Sequence, residues 1–180
     1  MKASEIISRL GFPSVRGFQA AWNLGTPLVI DGVIGDKTTA AAAKSWTRNA
    51  HGRADLSDHF SAREFRCKCG GIYSGCANVK VRRELLGSLE KYRTAFAPTG
   101  LLIVSGYRCP VHNRKVGGAT ASQHLDGRAA DIHGAVPYAR VEAHHWFAGY
   151  GIAPNGTVVH VDRRDLVKKA TLTKPDHWYY

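Results

Sequence analysis

Apolar residues in the first fifty positions recur at helical spacing, separated by turn residues. Ala3 to Leu10 reads as one short helix and Val15 to Leu24 as a second, in which Val15, Phe18, Ala21 and Trp22 line one face. Asp31-Gly32 and Gly35 supply turn chemistry, and Asp36 precedes an alanine-rich third helix, Lys37 to Trp46, of high intrinsic propensity. The stretch from Thr47 to Ser57 is polar, has no apolar period and reads as a linker. The pattern therefore divides the chain into a helical module at 1–48, a linker at 49–57 and a larger domain at 58–180.

In that larger domain Val81, Leu85, Leu86, Leu89, Tyr92 and Phe96 fall at helical spacing and predict a helix packed on a core. Leu101 to Ser105 reads as a buried strand, Ala129 to Ile132 as a short strand, Tyr138 to Ala148 as a helix and Thr157 to Asp162 as another strand. The mixture predicts an α+β fold: a small N-terminal three-helix module followed by an α+β domain with a central antiparallel sheet. The final Trp178-Tyr179-Tyr180 reads equally as a docked tail or an exposed patch.

Composition is that of a packed globular protein: 44% hydrophobic residues, with 19 Gly but only 7 Pro in 180 residues. The 25 Lys and Arg outweigh 14 Asp and Glu, for a net charge of +11. Such a charge favours long polyanions, nucleic acid or an anionic cell wall, without choosing between them. Lys168, Lys169 and Lys174 predict a solvated basic surface near the C-terminus. No aromatic-and-basic motif of a nucleic-acid-binding module is present, so no specific nucleic acid is expected. Met1 to Leu10 contains Glu5 and lacks the apolar run of a secretory signal, and no stretch of about 18 apolar residues spans a bilayer. The expectation is a monomer without membrane insertion.

Three of the four cysteines, Cys67, Cys69 and Cys76, crowd a Gly-rich loop, with Cys109 farther on. Their C-x-C-x6-C spacing departs from the C-x2-C or C-x4-C of common zinc fingers. Disulfides, free thiols and a four-cysteine metal cluster all remain open.

The sharpest feature is Ser122-Gln123-His124-Leu125-Asp126-Gly127-Arg128-Ala129-Ala130-Asp131, followed by Val158-Val159-His160-Val161-Asp162. A catalytic zinc site needs three protein ligands and an open position, which two imidazoles and a carboxylate provide. Asp126-Gly127 can turn the chain so that His124 and Asp131 converge, and His160 completes the set. On a strand, residues two apart share a face about 6.6 Å apart, so His160 and Asp162 lie on the same side.

The decapeptide resembles the S-x-H-x-x-G-x-A-x-D motif of the M15 family of zinc D,D-carboxypeptidases and L-alanyl-D-glutamate endopeptidases, matching every fixed position. The resemblance extends from residue 58 to about 165, through Phe60-Ser61, Glu64-Phe65, Cys67-Lys68-Cys69-Gly70, Ser105-Gly106-Tyr107-Arg108, His112-Asn113 and Val116-Gly117-Gly118-Ala119. It implies that His124, Asp131 and His160 bind one catalytic Zn2+. It also implies that Arg108 binds substrate and polarises the scissile carbonyl, with Ser122 assisting by hydrogen bonds. Many members carry a catalytic carboxylate three residues before the last zinc histidine, where this chain has Thr157. Asp162 is then the foremost general base, with His112 and Asp126 behind it. His51, His59, His133, His144, His145 and His177 read as structural or exposed.

A second resemblance covers residues 1 to about 48. Val15-Arg16-Gly17-Phe18-Gln19 and Ile30-Asp31-Gly32-Val33-Ile34-Gly35-Asp36-Lys37-Thr38 are similar to the V-R-x-L-Q and D-G-x-F-G-x-x-T patterns of the three-helix peptidoglycan-binding module. Together the resemblances imply an endolysin or autolysin that hydrolyses an amide in the peptide stem of peptidoglycan. It would be made in the host cytoplasm and act on the wall after release. Thr157 keeps open a non-catalytic wall-binding protein, and the charge keeps open nucleic-acid binding.

Overall fold

The computed structural model describes residues 1–133, 136–165 and 175–180. Three helices open the chain: α1 (Ala3–Arg9), α2 (Val15–Ala21) and α3 (Asp36–Ala50). The Ser14 hydroxyl caps α2 by accepting from the Gly17 N–H at 3.1 Å. Phe18 and Ala21 are buried on the predicted face of α2. One side chain holds the turn between α2 and α3. Gln19 donates through Nε2 to Asp31 Oδ1, Val33 O and Thr38 Oγ1, and its Oε1 accepts from the Gly32 N–H. Gly32 sits at φ +78°, a conformation that favours glycine.

The polar segment expected as a linker is structured. Helix α3 runs on to Ala50 rather than stopping near Trp46. Asn49 Nδ2 bonds Asp55 Oδ2, and Arg48 donates to Ala54 O. Asp55 Oδ1 accepts from the Ala62 N–H, and Leu56 is fully buried in a hydrophobic cluster that joins Phe18 of α2 to Leu85 and Leu89 farther on. Polar composition hid this because the anchoring depends on hydrogen bonds, which leave no apolar period.

Helix α4 (Arg83–Phe96) buries Leu85, Leu86, Leu89 and Tyr92, as the spacing predicts. The strands are β1 (Leu102–Ser105), β2 (Ala129–His133), β3 (Gly149–Ile152), β4 (Val158–Asp162) and β5 (Asp176–Tyr179). They form one sheet in the order β1-β2-β4-β3-β5. The first four pair antiparallel, but β5 pairs parallel to β3, so the sheet is mixed rather than antiparallel throughout. Short helices α5 (Pro110–Lys115) and α6 (Tyr138–Val141) complete the regular structure.

Two elements depart from the periodicity. The helix expected over Tyr138 to Ala148 ends in a 3-10 turn at His144, because His145 turns left-handed at φ +51°. Strand β3 follows at once. Its Gly-Tyr-Gly-Ile has neither β-branched alternation nor a polar face, so pattern alone does not find it. The chain end docks as β5, with Tyr179 and Tyr180 each 67% exposed. Lys168, Lys169 and Lys174 lie outside the described residues. Among those described, no helix is long and apolar enough to cross a membrane.

Candidate metal centre

Strand pairing brings the site together. In the β2–β4 register Asp131 stands directly opposite His160, and Ala129 opposite Asp162, so all four project from one face of the sheet. Ala130, Ile132 and Val161 point the other way into the core. His124 arrives from a 3-10 turn, Gln123–Asp126, whose start is capped by the Ser122 hydroxyl accepting from the His124 N–H. Gly127 ends that turn at φ +65°. A Cβ there would meet the Lys80 carbonyl at 2.4 Å, so glycine alone lets the chain reach β2 without displacing the backbone.

Each histidine is oriented by a group on its far side. His124 Nδ1 lies 2.6 Å from the Gly106 carbonyl. A carbonyl only accepts, so Nδ1 carries the hydrogen and Nε2 is bare. His160 Nε2 donates to Asp162 Oδ2 at 3.2 Å, which leaves Nδ1 of the neutral ring bare. Asp131 Oδ1 is 3.1 Å from His124 Nε2 and 2.8 Å from His160 Nδ1, and those two nitrogens are 3.2 Å apart. Three acceptors facing one another are satisfied only by a cation or a shared proton. In tetrahedral zinc sites with Zn–N of about 2.0–2.1 Å the ligand atoms stand about 3.3 Å apart, so this donor set fits zinc. The other oxygen of Asp131 pairs with Arg108, which also donates from Nε to Ser105 Oγ.

The electrostatics follow from this wiring. Burial holds His124 below the ordinary histidine value and so keeps it a neutral ligand. Burial also opposes charge on His160, but Asp131 and Asp162 on either side outweigh it and raise its pKa. Desolvation would raise Asp131, yet a proton shared with the two facing histidine nitrogens holds it well below the carboxylate range. Asp162 is fully buried and is likewise opposed by desolvation, but His160 and Arg164 bring it down to about 2.

Asp162 is thus placed behind His160. Its carboxylate accepts from His160 Nε2, from the backbone N–H of Arg164 and from the Arg164 guanidinium. That occupies its oxygens on the side of the ring away from the ligand nitrogen. Thr157 is turned into a local bond with Asn155, 2.7 Å from Oγ1 to Oδ1. Asp126 is engaged by Lys80 and Arg128. The site opens on a cleft of about 1060 Å³ bordered by Arg108, Ser122, Arg164, Trp178 and Tyr180. Neither His112 nor Asp126 borders it, and among the described residues its only carboxylates are Asp131 and Asp162.

Several contributors were not singled out from the sequence. Arg164 continues the alternation His160, Asp162, Arg164, which the sequence carries. Trp178 lies 5.2 Å from the His160 ring and 4.7 Å from the Arg164 guanidinium, ring centroid to partner, and only the parallel docking of β5 brings it there. Gly149 and Gly151 leave the room: a Cβ on the first would meet Asp162 Oδ2 at 2.6 Å, and on the second Tyr180 at 2.6 Å.

Residues 58–162 match the family model of Peptidase M15. The chain belongs to the M15 peptidase family. The match spans the motif turn, both ligand-bearing strands and the Ser105–Arg108 segment, and membership implies a metallopeptidase. M15 peptidases are zinc enzymes, and this M15 chain gathers a His, Asp, His set able to hold one ion. No curated protein matches the chain.

Proposed function

We propose that this M15 chain is a zinc-dependent hydrolase of an amide bond in the peptide stem of bacterial peptidoglycan, acting as an endolysin or autolysin. The observation that carries the reading is the convergence of His124 Nε2, His160 Nδ1 and Asp131 Oδ1, each made available by a partner on its far side. His124, Asp131 and His160 would hold the ion. A zinc ion held there supplies Lewis-acid polarisation of the scissile carbonyl and acidifies a water molecule. Arg108 holds Asp131 by one oxygen and borders the cleft, where its guanidinium binds substrate and stabilises the developing oxyanion. Ser122 fixes the His124 turn and contributes to the substrate-facing wall. Gly106 O and Asp162 keep the imidazole protons on the atoms facing away from the ion. Asp162 is assigned as a positioning residue rather than the base.

The N-terminal helices are assigned as the wall-binding module. The Gln19 network supports this, because it accounts physically for Gln19, Asp31, Gly32 and Thr38 of the resembling pattern. Val29 and Val33, 73% and 60% exposed on the loop those bonds hold, supply an apolar contact surface. The charge of +11 suits an anionic wall. The protein acts as a monomer on the wall after release from the cytoplasm where it is made, with no specific nucleic-acid partner.

The test is digestion of purified peptidoglycan by the native protein, the zinc-stripped protein and His160→Ala, with mass spectrometry of released fragments. Zinc-dependent release of stem-peptide fragments, lost in His160→Ala, is expected. A second reading, a wall-binding protein without hydrolysis, is favoured by the lack of a further carboxylate among the described residues of the cleft. Binding without release in every sample would establish it instead.

A further inference from the structure

The four cysteines form a cluster of their own, apart from the main core and packed with Tyr107, Tyr73, Ala77 and Val111. Three come from the loop after Arg66, which closes where Arg66 bridges Val79 and the Cys67 N–H donates to Asn78 O at 2.7 Å. The fourth, Cys109, stands at the start of α5. The four Sγ atoms all lie within 4.8 Å of one another. Cys69 is 3.4 Å from Cys76 and 3.8 Å from Cys109, sulfur to sulfur. Four thiolates around one zinc at about 2.3 Å form a tetrahedron whose edges are about 3.8 Å. The observed spacing brackets that edge.

The loop needs a crosslink. Gly70, Gly71 and Gly75 all adopt positive φ with nothing within 4 Å of where a Cβ would stand, and Ile72 is 76% exposed. So little apolar burial does not offset the entropy of ordering such a glycine-rich segment. Disulfides would join the sulfurs in separate pairs, whereas Cys69 has two near neighbours and all four gather around one point. Backbone donors also converge on the sulfurs: the Cys109 N–H on Cys67 at 3.3 Å, the His112 N–H on Cys109 at 3.4 Å and the Asn78 N–H on Cys76 at 3.4 Å. Donors aimed at sulfur stabilise thiolate, the form that binds metal.

We propose that Cys67, Cys69, Cys76 and Cys109 hold a second, structural zinc ion in a closed four-sulfur site. Four sulfur ligands in this arrangement select zinc over harder ions and leave no open position for catalysis. The site ties the 67–78 loop to the start of α5, next in sequence to Arg108. It thereby steadies Gly106 and Arg108, whose backbone is already held by Tyr107 N–H to Phe65 O and Arg108 N–H to His124 O. The inference stands independently of the peptidase reading.

The test is metal and thiol counting on protein purified without reductant, together with cobalt substitution. Wild type is expected to carry two zinc ions per chain, His124→Ala/His160→Ala one, and Cys69→Ser one at most. Four thiols should titrate only in denaturant with chelator. Cobalt in the His124→Ala/His160→Ala variant should show sulfur-to-cobalt charge transfer, which a His and Asp site cannot produce. That readout needs no cysteine variant to fold. Absence of thiols without added reductant would overturn the proposal in favour of disulfides. Four thiols with no zinc and no charge-transfer band in that double variant would overturn it in favour of free thiols. Loss of zinc only from the His124, Asp131, His160 group would instead count against the peptidase reading alone.

Discussion

Replacing Asp162 by Asn separates a positioning role from a proton-accepting one. The carboxylate is fully buried and accepts from His160 Nε2 at 3.2 Å and from Arg164 at 2.7 Å. An amide keeps the shape but has one acceptor and one donor end. If its oxygen stays on Arg164, its NH2 faces His160 Nε2 and favours the tautomer with the hydrogen on Nδ1, the atom facing Asp131 and His124. The ring then presents a proton where a ligand lone pair is needed. Loss of such an orienting partner costs about 10–100-fold in metal affinity, or about 1.4–2.7 kcal/mol. The assay is zinc competition against a chromogenic chelator, alongside hydrolysis of peptidoglycan at saturating zinc. The expected result is weaker zinc binding with activity largely recovered as zinc is raised. Unchanged zinc affinity with turnover reduced by about 10²–10⁴, the usual contribution of a general base, would refute the positioning role and restore Asp162 as the base.

Three further outcomes are expected. The folded-state value of about 2 for Asp162, below its ordinary 3.8, means a stabilising contribution that is complete above about pH 4 and lost as pH falls towards 2, worth about 2 kcal/mol. Urea midpoints of zinc-free protein across that window should fall more steeply for wild type than for Asp162→Asn, and equal slopes would count against it. Leu56→Ala should destabilise by about 2–5 kcal/mol in urea unfolding, because Leu56 is fully buried in the cluster joining α2 to α4; a change under about 0.5 kcal/mol would mean that the segment is a free linker after all. Gln19→Ala strands the Gly32 N–H and removes a donor from Asp31, Val33 and Thr38, and should cost about 1–3 kcal/mol. It should also lower retention on insoluble peptidoglycan while leaving hydrolysis of a soluble stem peptide unchanged, and unchanged retention would detach the wall-binding role from that turn.

The sequence by itself determined the helices with strong apolar spacing, α2 and α4, and the three strands β1, β2 and β4. Each carries an apolar set at its own period, and that set is what burial acts on. It also singled out His124, Asp131 and His160, because a turn at Asp126-Gly127 is a local rule, but the pairing of β2 with β4 brought His160 to the other two. Tertiary structure decided what local rules cannot reach. Strand β3 exists because Gly149 and Gly151 leave room for the Asp162–Arg164 pair and Tyr180, a reason found in other segments of the chain. Alternation put Asp162 on the face of His160, but only the pairing of β2, β4 and β3 shows which ring nitrogen it meets. The sequence leaves the four cysteines open between thiol, disulfide and metal, and only the folded chain brings Cys109 to the other three. Distance between sulfurs far apart in sequence is a property of the folded chain, and it is distance that separates those chemistries.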